Sequence, residues 1–112
     1  MELRHLRYFI AVAKNLSFSE ASRRLHVAQA AISQTVLDLE DDLGAKLLVR
    51  TRRSVELTAA GNAFLAEAEA IVRRTEEAKM TAQRTSRGEL GTLRIGFSPA
   101  AAGPILSALI KP

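Results

Sequence analysis

The sequence predicts a mainly α fold: three short helices, a two-stranded ribbon with a basic tip, and then one long helix. Three observations predict it. All prolines (Pro99, Pro104 and Pro112) lie in the last fourteen residues, so the first 98 are free of the strongest helix breaker. Up to about Gly44, apolar residues recur at helical spacing. From Leu47 the period shortens, and LLV and VEL flank the polar run RTRRS as two short strands flank a turn.

The first helix is expected over about residues 2 to 14, with Leu3, Leu6, Ile10 and Ala13 as its buried stripe and Tyr8 and Phe9 beside it in the core. SFSE, Ser17 to Glu20, matches a capping box, in which a hydroxyl and a carboxylate three residues apart satisfy two free amides reciprocally. A second helix therefore starts there and ends near Leu25. His26, Val27 and Ala28 make the turn, with His26 as the left-handed residue because no glycine is present. The third helix begins by Gln29, buries Ile32, Val36, Leu39 and Leu43, and stops at Gly44. Thr58 caps the long helix, which runs to about Arg87 and spans about 43 Å at 1.5 Å per residue. Its Phe64, Ala68, Ile71, Thr75, Ala78 and Ala82 form a heptad seam, supplemented by Leu65 and Val72, that predicts a homodimer.

Gly88 and Gly91 break that helix. TLRIGF then alternates as a strand, and PILSALI starts another helix. One strand and part of a helix bury no core, so residues 88–112 are expected to be a hinge and the beginning of a larger α/β domain. The expected division is 1–57, 58–87 and 88–112.

Composition narrows the function. There is no cysteine and there are only two histidines, His5 and His26, which excludes a thiol nucleophile and a cysteine zinc site and leaves no metal site or cofactor to predict. No apolar run approaches the roughly 20 residues of a membrane span, and the N-terminus lacks the apolar block of a secretory signal, so a soluble, cytoplasmic chain is expected. No nucleophile is paired with a base and no phosphate loop is present, which argues against an enzyme. The formal net charge of +4, from 16 basic and 12 acidic residues, favours a polyanionic partner only weakly. Its distribution says more.

The outward face of the third helix opens with Gln29, Ala30, Ser33, Gln34 and Leu37, all uncharged, and carries its acids (Asp38, Glu40, Asp41, Asp42) only later. A surface helix ordinarily covers itself in Lys and Glu. Uncharged amides and hydroxyls suit a helix lodged in a major groove, where they match donors and acceptors on base edges; Ala30 or Leu37 suits a thymine methyl. The acids must then point away from DNA. Arg50, Thr51, Arg52 and Arg53 fall on the ribbon, placed for phosphates or an adjacent minor groove, and Arg23 and Arg24 on the second helix are candidates for backbone contacts. Three helices with a tight turn between the last two, followed by a basic ribbon, spell a winged helix-turn-helix. A competing reading is a helical dimerisation module with an incidental basic loop.

The run from MELRHLRYFIAVA through SFSEASRRLHVAQAAISQTVLDLEDDLGAKLLVRTRRSVELTAAG resembles the LysR-type transcriptional regulators of bacteria, and the likeness extends along the long helix. The resemblance implies a DNA-binding domain on double-stranded DNA, a linker helix pairing antiparallel in a homodimer, and a tetramer for the full-length protein. It also implies a C-terminal domain that binds a small-molecule effector, with GTLRIGF as its first strand. It places base contacts near Gln29, Ala30, Ser33 and Gln34, and minor-groove or phosphate contacts at Arg52 and Arg53. Ala28 stands where many members carry Ser or Thr, which predicts a third helix without a side-chain cap, at a cost of about 1 kcal/mol. Gln34 stands where several carry arginine, which shifts preference away from guanine.

Overall fold

The computed structural model describes residues 1–88, as helices α1 (Leu3–Asn15), α2 (Phe18–Leu25) and α3 (Gln29–Leu43), strands β1 (Leu48–Arg50) and β2 (Val55–Leu57), and helix α4 (Ala59–Ser86). The strand expected at TLRIGF and the helix at PILSALI lie outside the described residues. Met1–Arg74 form one compact unit, and a second begins at Thr75. The first unit contains the three-helix core, the wing and the opening turns of α4. From Thr75 to Gly88 the second unit is described as the remainder of α4 and a closing turn in which Gly88 has φ 81°.

The core of the first unit is built on Phe9, Val12, Ile32, Val36, Leu39 and Leu47, all essentially inaccessible to solvent. The buried stripe of α1 is Leu6, Phe9, Val12 and Ala13, rotated by about one residue position from the one expected. Leu3 is exposed and Ile10 only half-buried, because the helix turns Phe9, expected in the core, fully inward to meet Phe64 of α4 at 5.7 Å between ring centroids. On α3 the stripe is as expected except at its end, where Leu43 remains 37% exposed. There it borders an apolar groove with Leu47, Ala60, Ala63 and Phe64.

The helix-turn-helix corner is held by one side chain. Ser22 Oγ donates to the Val27 carbonyl at 2.6 Å, while the amides of His26 and Val27 donate to the Ser22 carbonyl. His26 takes the left-handed conformation, φ 56°, as expected, and Leu16 takes it too at the end of α1, φ 49°. The capping box at α2 is only half made. Ser17 Oγ accepts from the Glu20 amide at 3.0 Å, but the Glu20 carboxylate turns the other way, to Arg23 and Arg24. At α3, no side chain caps Ala28.

The wing joins this core through two contacts at Leu47. Glu40, expected among the solvent-facing acids, is instead 7% exposed; its Oε2 accepts from the amides of Leu47 and Leu48, at 2.7 and 3.2 Å. The burial has a physical reason: those two amides, at the entry to β1, need an acceptor, and the carboxylate of α3 reaches them. Leu47 also meets the start of α4. Its carbonyl accepts from the Thr58 amide at 3.0 Å, and Thr58 Oγ1 both accepts from the Gly61 amide and donates to the Lys46 carbonyl. A Cβ on Gly61 would lie 2.1 Å from the Leu47 carbonyl oxygen, so the approach requires glycine there. The strands pair antiparallel with Leu48 opposite Leu57 and Arg50 opposite Val55.

Two expected outcomes follow from these contacts. In an unobstructed helix Gly→Ala stabilises by about 0.5–1 kcal/mol, whereas Gly61→Ala is expected to destabilise by about 1–3 kcal/mol through overpacking; urea unfolding followed by circular dichroism checks the sign, and an increase in midpoint would refute the close approach. Glu40→Ala is expected to cost about 1.5–3 kcal/mol, since it strands two buried amides that had a charged acceptor. A stability equal to that of the parent would mean the two amides find water instead.

Candidate nucleic-acid interface

The N-terminal half of α3, the start of α2 and the wing surround one open cleft of about 330 Å³ whose lining includes Phe18, Gln29, Ser33, Arg50, Arg52 and Arg53. The elements that form it are those just described. The Ser22 stitch and left-handed His26 set the angle between α2 and α3, and the Glu40 carboxylate fixes the root of the wing against α3.

Of the five residues expected to read bases, Gln29, Ala30, Gln34 and Leu37 are exposed and Ser33 is half-buried. None of them is charged, and Asp38, Asp41 and Asp42 follow on the exposed surface further along the helix. Gln34 Nε2 donates to Asp38 Oδ1 at 2.9 Å, which orients its amide one helical turn from the acid. The face is therefore polar, uncharged at its leading end and acidic at its trailing end.

The cations divide into two groups. Arg52 and Arg53 lie exposed at the wing tip. The tip itself is a small turn organised by Thr51: its Oγ1 accepts from the amides of Arg53 and Ser54, and its own amide donates to the Ser54 carbonyl at 2.8 Å. Thr51, expected as a DNA contact, thus has its hydroxyl engaged in shaping the turn that presents the two arginines. The others are held by partners within the chain. Arg50 stacks its guanidinium 4.0 Å from the centroid of the Phe18 ring and donates to Ser33 Oγ at 2.9 Å. Arg23 and Arg24 both bond Glu20, Arg24 through Nε at 3.0 Å. The bond from Arg23, and after it that from Arg24, holds the Glu20 carboxyl below its usual range, so the pairing is complete at neutral pH and is lost as pH falls through that lowered value.

The residues expected to form a dimer seam on α4 behave unequally. Ala68 is fully buried within its own chain, and Phe64 and Leu65, half-buried, pack against the core, so the first turns of the seam also serve the compact unit. Heptad spacing alone does not tell an intramolecular neighbour from an intermolecular one. Further along, Ile71 is 42% exposed and Val72 and Thr75 are half-exposed. Reading the sequence missed Ser22, Glu40 and Gly61. Only Gly61 left a signal, a glycine within the first turn of a helix otherwise rich in alanine.

No helix among the described residues is long and apolar enough to cross a membrane. Comparison with known proteins gives consistent matches. The chain is 50% identical over 101 residues to the HTH-type transcriptional regulator YnfL of Escherichia coli, itself uncharacterised, a match covering 90% of this chain and 34% of that protein. It is 47% identical over 111 residues to the HTH-type transcriptional regulator AlsR of Bacillus subtilis, covering 99% of this chain and 37% of that protein. The chain thus spans about a third of the length of these relatives. Among solved structures, the DNA-binding domain of CbnR in its crystal structure with DNA matches with a TM-score of 0.74 at 43% identity, over 77% of this chain and 99% of that one. The corresponding domain of BenM, crystallised with catB site 1 DNA, matches with a TM-score of 0.76 at 38% identity, over 79% of this chain and 99% of that one. Residues 3–62, more than half of the chain, match the model of the bacterial regulatory helix-turn-helix proteins of the lysR family, and the chain belongs to that family.

Proposed function

We propose that this chain is the DNA-binding part of a sequence-specific transcription regulator of the LysR type, reading double-stranded DNA through α3. The observation that carries the reading is the cleft at which an uncharged helix start (Gln29, Ala30 and Gln34 exposed, Ser33 half-buried) adjoins a wing tip bearing Arg52 and Arg53. Such a helix start enters a major groove without repelling phosphate and without binding it indiscriminately, and its amides match the donor and acceptor pair of adenine. The wing arginines then lie beside the backbone or the neighbouring minor groove. The similarity to domains crystallised on DNA, those of CbnR and BenM, supports the same reading.

The reading extends to assembly and place. The chain works in the cytoplasm as a homodimer through the part of α4 around Ile71, Val72 and Thr75, and a two-fold pair of reading heads calls for an interrupted dyad in the operator. In the longer protein that relatives about three times this length suggest, tetramer formation and response to a small-molecule effector belong to the portion after α4.

Selection of bound fragments from random duplex DNA tests the reading directly, with an interrupted dyad as the expected product. On the selected site, Gln29→Ala or Gln34→Ala is expected to lose about 1–3 kcal/mol of binding and to relax preference at one position, whereas Arg52→Ala weakens all sequences evenly and lowers the salt slope by about one ion. Equal effects of all three on unrelated DNA would rule out readout by α3. For assembly, Ile71→Asp is expected to convert dimer to monomer in sedimentation equilibrium; a dimer of unaltered affinity would place the interface elsewhere.

A further inference from the structure

Ser33 and Arg50 are seventeen residues apart and come from different elements, yet they share a hydrogen bond of 2.9 Å. We propose that Arg50 is a positioning residue that determines specificity: anchored on Phe18, it occupies an acceptor site of Ser33 and leaves the Ser33 hydroxyl as a donor toward a base edge. The inference rests on the DNA reading above and deepens it.

Three features support it. Phe18 is itself a core residue, 7% exposed, at the first position of α2, so the ring on which the guanidinium stacks is fixed. Arg50 is thereby tied to β1, α2 and α3 at once, through its backbone, its stack and its hydrogen bond. A planar guanidinium can lie on a ring and donate from its edge at the same time, a flat geometry that a compact ammonium does not reproduce. Among the described residues, moreover, the Ser33 hydroxyl donates to no group of the chain. Thr35, two positions on, shows the ordinary fate of a helical hydroxyl, donating to the carbonyl four residues back, that of Ala31, at 2.8 Å.

A serine hydroxyl has one proton and two lone pairs, and alone it suits donor and acceptor base edges alike. A cationic donor on one lone pair polarises the O–H and strengthens it as a donor. Guanine N7 and O6, adenine N7 and thymine O4 accept such a bond in the major groove; cytosine presents only its N4 donor there. The second lone pair of Ser33 stays open, but a cation bonded to the first makes it a poorer acceptor for the cytosine N4 donor, so Ser33, prepared by Arg50, disfavours cytosine on the strand it contacts. Arg50 itself, expected from sequence to hold a phosphate or enter a minor groove, acts through Ser33.

The test uses the full 112-residue chain in four forms: unmodified, Ser33→Ala, Arg50→Ala and Arg50→Lys, with circular dichroism melting to verify folding. Sites are selected from one random duplex pool, and affinities for the selected duplex and its single-position variants are measured by fluorescence anisotropy over a salt series. The unmodified chain is expected to disfavour cytosine at one position by about two- to tenfold, and Ser33→Ala to erase that discrimination. Arg50→Ala and Arg50→Lys are expected to erase most of it at the same position, with Arg50→Lys retaining the parent salt slope. If Arg50→Ala does not fold, Arg50→Lys decides alone. Retention of the cytosine discrimination in the Arg50 variants would overturn the proposal, as would an even loss across all duplexes with the salt slope reduced by one ion in Arg50→Ala, the signature of a phosphate contact. Absence of any selected sequence for the unmodified chain would instead remove the DNA reading on which the proposal stands.

Discussion

A buried carboxylate at the trailing end of α3 accepts the first two amides of the wing. Glu40 sits on the helix whose leading end forms one wall of the cleft, and Leu47 and Leu48 lie at the entry to the strand whose far end forms the other. Without that acceptor the root of the ribbon would be held to α3 by apolar side chains, which resist separation but tolerate sliding. Hydrogen bonds to a charged acceptor are directional and strong relative to neutral ones. They fix the distance along α3 at which the wing departs, and hence the place where Arg50 comes over Ser33 and Phe18.

The opening of α4 closes the same joint from the other side. Thr58 and Gly61 bring the first turn of that helix onto the Leu47 carbonyl, so one residue, Leu47, is bonded by its amide to α3 and by its carbonyl to the loop before α4. Its side chain lies 1% exposed in the core. This accounts for a compact unit that runs to Arg74, well into α4. The apolar positions at the start of that helix are used twice over, as one face of a regular heptad and as part of the core around Phe9.

Much of this was legible in the sequence. Helical periodicity located α1, α2 and α3, alternation located the wing, and the want of a glycine after Leu25 singled out His26 for the left-handed turn. The polar leading face of α3 was legible because its anomaly is compositional: a missing Lys and Glu can be seen without coordinates. What escaped was every interaction whose partners are distant along the chain. Glu40 reads like its acidic neighbours until the two amides beside it are known, and Arg50 reads like Arg52 and Arg53 although its guanidinium is bonded to α3. Phe9 lies in the core as expected, but the stripe beside it was misjudged, because Leu3, Ile10 and Val12 are all apolar and spacing alone does not decide which of them turn inward. Ala68 belongs to the same class: spacing marks it as buried without saying by what.

The clamp of Glu20 on Arg23 and Arg24 has a thermodynamic corollary for the proposed complex. These two cations are not idle charges awaiting a polyanion; an oxyanion of their own chain already engages each of them. A phosphate can bind a remaining N–H of either one and share it with Glu20, or displace the carboxylate and trade one charge-assisted bond for another of like kind. Such an exchange yields little net enthalpy and leaves Glu20 to find water or retain the second arginine. The exposed side of α2 would then act as a guide to alignment along the duplex, while grip falls to the cations at the tip of the ribbon.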